Sequence, residues 1–235
     1  MGGMGGCSPD LKTDVDNCGE CGRMCVHDKS VELPRCIEGV CKSFCESGFV
    51  NITEHETGFD DDGCEAQGRR VFVTEGAKTA SEVGGVTEAD GLCQMLADEA
   101  LLGGSWAAWL SEEEDSSSPS ERFNTIPDAP YMLLDFRVVA ASWAVLVGGQ
   151  VMLENQIDLT ENMLTPSNPP DEPASVWTGT TPFGLPSGKH CSLWTSAGKD
   201  AEATVGSFSL VTEEWTETKP PSPCDAVARL YCFEQ

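Results

Sequence analysis

The sequence predicts an α+β domain with long loops, preceded by a small disulfide-rich module with little regular secondary structure. Three observations carry this. Eight of the twelve cysteines lie within the first 64 residues, a density at which cross-links take over from a large core. Apolar residues recur at helical spacing over 89–101. The rest of the chain alternates short apolar words with stretches rich in Pro, Gly and Asn, the pattern of several short strands joined by long loops.

The cysteines divide the chain. Cys7, Cys18, Cys21, Cys25, Cys36, Cys41, Cys45 and Cys64 form one group, and Cys93, Cys191, Cys224 and Cys232 the other. Both counts are even, as expected when every thiol pairs within its own domain. Spacing leaves the pairing of the first eight open. The predicted organisation is a glycine-rich tail over 1–6, a cysteine-rich module over 7–68 and a second domain over 69–235. The module holds few large apolar side chains and needs staples. Residues 71–235 hold all six tryptophans and most of the aliphatic residues, enough for one ordinary globular domain.

The tail, Met1, Gly2, Gly3, Met4, Gly5 and Gly6, loses much backbone entropy on ordering. If it is ordered, its own module or a neighbouring subunit must hold it, so these six residues are the candidates for an assembly joint. Thr13-Asp-Val-Asp-Asn-Cys18-Gly-Glu-Cys21-Gly-Arg-Met-Cys25 follows, in which Asp16, Asn17, Gly19 and Gly22 are turn formers between closely spaced cross-links. Two thiolates spaced like Cys18 and Cys21 can chelate zinc, but a disulfide knot is the reading that fits the cysteine density. Asp60, Asp61 and Asp62, near Glu54, Glu56 and Glu65, are calcium candidates by their carboxylates. They lack the spaced ligands of an EF-hand loop, and a solvated acidic turn is the stronger reading. Asn51-Ile-Thr53 is a glycosylation sequon, meaningful only where exported chains are glycosylated.

In the second domain, 71–74 reads as the first strand and 89–101 as a helix, with Leu92, Met95, Leu96 and Ala100 on one face and Gly103-Gly104 as its stop. Residues 105–111 read as a strand and 111–120 as an exposed loop of serines and acids. Further strands are expected around 131–134, 138–141, 176–178, 191–195 and 230–233. Trp106, Trp109, Trp177 and Trp194 fall in strand words and read as core; Trp143 and Trp215 are the better surface candidates of the six, though burial is the expectation for them too.

Net charge is −25, with 5 basic and 14 acidic residues in 1–68 and 9 and 25 in 69–235. A uniformly acidic surface repels phosphate backbones and anionic membranes, which argues against nucleic-acid and lipid-surface roles. No apolar run approaches the roughly 20 residues of a membrane span. Disulfides persist in oxidising compartments, so an extracellular or cell-surface location is expected. The start is no signal peptide, and a mature or trimmed form is the simplest resolution.

Two resemblances add to this. Asp16-Asn-Cys-Gly-Glu-Cys-Gly-Arg-Met-Cys25 followed by Cys36-Ile-Glu-Gly-Val-Cys41 resembles the stigma-specific Stig1-like cysteine-rich module, which implies a spacer or interaction module. The series Val71-Phe-Val-Thr74, Ala89-Asp-Gly-Leu-Cys93, Trp106-Ala-Ala-Trp-Leu-Ser111, Val176-Trp-Thr-Gly-Thr180, Cys191-Ser-Leu-Trp-Thr195 and Arg229-Leu-Tyr-Cys-Phe-Glu-Gln235 resembles the DUF1554-type domain of bacterial exported proteins. That domain is similar to the endostatin-like branch of the C-type lectin fold. The resemblance implies nested disulfides, Cys93 to Cys232 and Cys191 to Cys224, each contributing on the order of 3–5 kcal/mol in the chain-entropy model.

Calcium-dependent sugar binding in C-type lectins uses an EPN- or QPD-like triplet and a WND-like triplet. The nearest stretches here, Asn168-Pro-Pro-Asp171-Glu-Pro173, Trp177-Thr-Gly179 and Trp194-Thr-Ser196, match neither. Asp171 and Glu172 remain as nonstandard calcium candidates. The zinc chemistry of endostatin needs a histidine-rich start, and this chain has only His27, His55 and His190. The sulfatase-modifying oxidases of the same fold need unpaired thiols.

No catalytic grouping emerges, since three dispersed histidines build no nucleophile–base pair and no glycine pair has phosphate-loop context. The sequence therefore predicts a secreted, non-enzymatic structural or interaction protein acting through protein–protein contacts, self-assembling through its tail. Its partners would be other protein chains, copies of itself among them. The alternative is an extracellular glycan-binding module assisted by calcium.

Overall fold

The computed structural model describes residues 10–25, 31–45, 49–50, 66–149, 152–167 and 174–235. The chain divides into two compact units, residues 1–67 and 68–235.

In the first unit β1 (Val31–Ile37) and β2 (Val40–Cys45) form an antiparallel hairpin. The sequence reading placed no strand here. The turn residues Glu38 and Gly39 have φ of +51° and +83°, the left-handed pair that matches the twist of the flanking strands. Cys36 faces Cys41 across the hairpin, yet the two are not bonded to each other. Cys36 is bonded to Cys18 and Cys41 to Cys25, with Cα separations of 5.6 and 5.4 Å. Two neighbouring rungs thus fasten residues 10–25 onto the hairpin, and the buried cluster consists of these four cysteines. Gly19 approaches Gly39 so closely that an added Cβ would lie 2.5 Å from the Gly39 carbonyl oxygen. A second short pair joins β3 (Phe49–Val50) to β4 (Ala66–Gln67).

The second unit begins with β5 (Arg69–Val73) and β6 (Lys78–Thr79), then α1 (Ala80–Val83), α2 (Val86–Glu99), β7 (Trp106–Ala108) and α3 (Pro119–Arg122). Next come β8 (Tyr131–Leu133), β9 (Val138–Ala140), α4 (Trp143–Leu146) and β10 (Ser175–Trp177). It ends with β11 (Glu202–Ala203), β12 (Val205–Ser207), β13 (Ser222–Pro223), β14 (Val227–Ala228) and β15 (Tyr231–Glu234). The main sheet has the order β7-β15-β5-β8-β9, antiparallel except between β5 and β8. Val73 faces Tyr231 and Val71 faces Phe233, so the first and last strands lie side by side and the unit closes on itself. Architecture and disulfides together make the chain a disulfide-rich α+β protein.

The continuous apolar words follow from burial on both faces of this sheet. Side chains alternate along a strand. Phe72, Trp106, Ala108 and Cys232 face α2 and the Trp177/Trp194 region. Val71, Val73, Ala107, Tyr131, Tyr231 and Phe233 lie on the other face, in a cluster with Trp109, Phe123 and Trp215. Trp109 packs 4.9 Å from Trp215 and 5.2 Å from Phe233 between ring centroids, an aromatic cluster of the kind that dominates core energetics. At the chain end Arg70 pairs with the fully buried Glu234 carboxylate at 2.8 Å and lies 5.4 Å over the Trp106 ring.

Helix α2 starts three residues before the expected position. Glu112 explains the start, because its Oε1 accepts the Val86 N–H at 2.9 Å and satisfies a donor that has no intrahelical partner. Leu101, with φ +57°, ends the run. The strand expected over 105–111 is confined to Trp106–Ala108.

Two other expectations are overturned. Residues 111–120 are not merely an exposed loop: Asp115–Ser117 forms a 3₁₀ turn, α3 follows, and Ser111, Ser118 and Pro119 are buried. Residues 191–195 are not a strand. Cys191, Ser192, Leu193 and Trp194 have φ of +50°, +54°, +57° and +58°, one full left-handed turn, which L-residues rarely form as a run. The cause is the spacing of what must be buried. Cys191 is bonded to Cys224 and Trp194 is fully buried. A strand would send residues three apart to opposite faces, whereas a helical turn brings them together. Trp215 is buried and Trp143 half-buried, in line with the burial expected of both.

Candidate functional site

The 27 residues from Thr178 to Thr204 form the most informative part of the second unit. Their base is a buried polar network. Trp109 Nε1 donates to Thr216 Oγ1 at 2.8 Å, and Thr216 Oγ1 donates to the Thr180 carbonyl oxygen at 3.2 Å. Thr178 Oγ1 donates to the Thr216 carbonyl oxygen at 2.6 Å, and the Ser111 and Thr180 hydroxyls meet at 2.8 Å. Every member is buried and partnered, which fixes one arrangement of the loop base. The strands below are equally tight, since an added Cβ on Gly206 would lie 1.9 Å from the Trp215 carbonyl oxygen.

From this base the chain rises into a compact turn. Thr181 N–H donates to the Leu185 carbonyl at 2.8 Å and Gly184 N–H to the Thr181 carbonyl at 2.9 Å. Ser120 secures the turn from the side, its N–H donating to the Gly184 carbonyl at 3.1 Å and its Oγ to the Phe183 carbonyl at 3.0 Å. Gly184 has φ +72°, and an added Cβ would meet Ser120 Oγ at 2.4 Å, so the turn admits only glycine there. The Phe183 ring rests on the bare backbone of Gly149, where a Cβ would lie 2.2 Å from Cε1. Even so, Phe183 is 56% exposed and Leu185 is 41% exposed.

Beside the tip lies a shallow groove of about 90 Å³ lined by Pro182, Glu213, Glu214, Glu217 and Lys219. Glu213 and Glu214 belong to a 3₁₀ turn, Glu213–Trp215, that is anchored by the burial of Trp215. Further along, the left-handed turn presents Leu193, 44% exposed. It is held by the Cys191–Cys224 bridge and by Trp194 Nε1, which donates to the Ser111 carbonyl at 3.0 Å. His190, the one histidine among the described residues, accepts the Leu193 N–H through Nδ1 at 2.9 Å and so serves this turn.

The remaining candidates from the sequence separate clearly. Cys93 is bonded to Cys232, with Cα atoms 5.4 Å apart, and Cys191 to Cys224, 5.7 Å apart. Cys21 is also in a disulfide, and no described cysteine is free. The Cys18, Cys25 and Cys41 sulfurs lie within 4.8 Å of one another, but two neighbouring disulfides account for them, and a bonded sulfur is not the thiolate that zinc requires. Met1 to Gly6, Cys7, Asp60, Asp61, Asp62, Cys64, Asp171 and Glu172 lie outside the described residues. Cys45 ends β2.

Two buried acids, Glu234 and Glu161, and the half-buried Asp90 serve the fold. Glu234 holds Arg70 and Asp90 holds Arg122. Glu161 Oε2 accepts the Glu75 N–H at 3.0 Å, and burial pushes the Glu161 carboxyl above its ordinary value.

Phe183 is not among the surface-aromatic candidates read from the sequence, which are tryptophans. A signal existed: an aromatic between proline and glycine in Thr181-Pro-Phe-Gly184 sits in a turn, where it cannot join a strand face. No known family model matches this chain, and no curated protein matches it either.

Proposed function

We propose that this is an extracellular, non-enzymatic recognition protein that binds other proteins through the loop tip around Phe183. In this reading the second unit is C-type-lectin-like in fold and the first is a Stig1-like spacer. One observation carries it. An exposed aromatic and an exposed leucine stand on a turn whose base is a satisfied buried network, stapled nearby by Cys191–Cys224. A rigid apolar tip loses little conformational entropy on binding, which is how aromatic anchors become dominant contacts in interfaces. Support for the fold reading comes from the bridge between α2 and the last strand and from the second bridge clamping the long-loop region. No helix among the described residues is long and apolar enough to cross a membrane, and several disulfides fit an oxidising exterior.

The test is the binding of fluorescently labelled protein to cells of its source, comparing wild type, Phe183→Ser/Leu185→Ser and the control Met95→Ser. Loss of at least about tenfold in apparent affinity for the tip variant alone supports the proposal. Equal binding by all three removes the tip from recognition.

A glycan-binding reading has one specific observation in its favour. Phe183 is an exposed aromatic in the loop region where sugar stacking would occur, beside the Glu213, Glu214 and Glu217 carboxylates. Loss of cell binding after enzymatic removal of surface glycans, with surface proteins intact, would move the assignment to this reading.

A further inference from the structure

We infer that the partner surface recognised at the Phe183 tip is basic: a protein segment carrying Lys or Arg beside an apolar side chain. This deepens the proposed recognition function and rests on it. Acidity alone would mark nothing on a chain of net charge −25. What singles out this place is the meeting of three features.

The first is a concavity, lined by Glu213, Glu214 and Glu217 and walled by Pro182, the residue before Phe183. The second is the state of its carboxylates. Arg70, Arg122, Arg137, Lys12, Lys189 and Lys199 each lie near an acid, but among the described residues no cation pairs with Glu213, Glu214 or Glu217. Lys219 lines the groove and also makes no ion pair there. The third is the exposed apolar pair Phe183 and Leu185, on a turn that Ser120 and Gly149 hold in place.

Carboxylates in a groove attract a cation and set its orientation, while an apolar neighbour supplies contact area and excludes water. A guanidinium suits the groove particularly well, because it offers several donors to more than one carboxylate and its weak hydration makes burial cheaper than for an ammonium. A second copy of this chain fits poorly, since two surfaces of the same sign repel. A basic segment satisfies the groove and the apolar tip together.

The experiment uses the intact, non-reduced protein with ring-labelled phenylalanine and two capped synthetic peptides, one of alternating arginine and leucine, one of alternating glutamate and leucine. Phe183 resonances and calorimetric affinities are followed at physiological ionic strength. Two variants lose the same charge: Glu213→Gln/Glu214→Gln/Glu217→Gln at the groove, and Glu113→Gln/Glu114→Gln/Asp115→Asn at an exposed turn outside the groove lining.

The arginine peptide is expected to shift Phe183, the groove variant to bind it at least about tenfold more weakly, and the variant outside the groove to keep most of its affinity. Equal loss in both variants would reduce the effect to general electrostatic attraction and overturn the inference. Tighter binding of the glutamate peptide at Phe183 would overturn the basic partner while leaving the tip as a recognition surface. Phe183 resonances that respond to a neutral oligosaccharide and to neither peptide would overturn the basic partner and the protein-recognition reading together.

Discussion

Arg122 grips Asp90 through a single nitrogen, with Nη1 2.9 Å from Oδ1 and 2.8 Å from Oδ2. The rest of the guanidinium donates to the carbonyl oxygens of Ser117, Ala108 and Leu110, while Asp90 Oδ1 accepts the Ala108 N–H at 2.7 Å. One ion pair therefore joins α2, the end of β7 and the turn before α3. Burial pushes the Asp90 carboxyl up and the Arg122 guanidinium down, so desolvation offsets much of the attraction, and the pair matters chiefly when one partner is lost.

Arg122→Ala should destabilise the second unit by about 3 kcal/mol, the low end for a broken buried pair because the Asp90 side chain keeps 31% exposure. Urea unfolding of the non-reduced protein measures this. The double variant Arg122→Met/Asp90→Leu should cost less than Arg122→Ala alone. A loss below about 1 kcal/mol in Arg122→Ala would mean that the pair behaves as a surface bridge.

The two disulfides of the second unit close loops of very different size, with separations of 139 residues for Cys93–Cys232 and 33 for Cys191–Cys224. Chain entropy alone predicts losses of about 5 and about 4 kcal/mol on paired alanine replacement. Removing Cys191–Cys224 should also free the left-handed turn. Faster amide hydrogen exchange confined to residues 191–196 is the expected signature. Unchanged protection there would show that Trp194 and His190 hold the turn without the bridge.

Glu161 gives a pH dependence with a defined sign. Its carboxyl is raised above the ordinary 4.5 first by burial and further by the neighbouring Glu75 charge, against lowering by its backbone hydrogen bonds and Arg229. The folded state therefore holds this proton more tightly than the unfolded chain. Its contribution is fully present below pH 4.5 and lost as pH rises through the folded value. Glu161→Gln should flatten the stability profile above that pH. A profile identical to wild type would show that Glu161 is not the group responsible.

Much of the fold was legible in the residues and some was not. The β5 word and the final strand were visible because burial on both faces makes them continuously apolar. The α2 stripe was legible only in part: Leu92 and Leu96 pack against the core, but Met95 is exposed, and the buried face is Val86, Ala89, Cys93 and Ala97. The hairpin of the first unit was hidden, because cysteines occupy the facing positions where apolar partners would have announced it. The left-handed turn at 191–194 was illegible, since no L-residue in the run favours positive φ and only a distant cysteine and a buried tryptophan impose it. The groove was equally illegible: Glu213 and Glu217 come from one segment and Pro182 from another 31 residues earlier, and nothing local announces their meeting.

Self-assembly through residues 1–6 makes a separate prediction. In solution the non-reduced full-length protein should form large species that collapse when residues 1–6 are removed, with EDTA having no effect. A single monomer mass for both forms would reject the tail as a joint, and a mass that changes with EDTA would direct attention to calcium.

Site-specific photo-cross-linking at position 183 bears most directly on the central claim. A photoreactive phenylalanine analogue replaces Phe183 in one sample and Met95 in another, and both are illuminated on cells of the source. A discrete polypeptide adduct is expected at 183, absent at 95 and competed away by unlabelled wild-type protein. An adduct of carbohydrate alone at 183, or equal labelling at both positions, would contradict that claim.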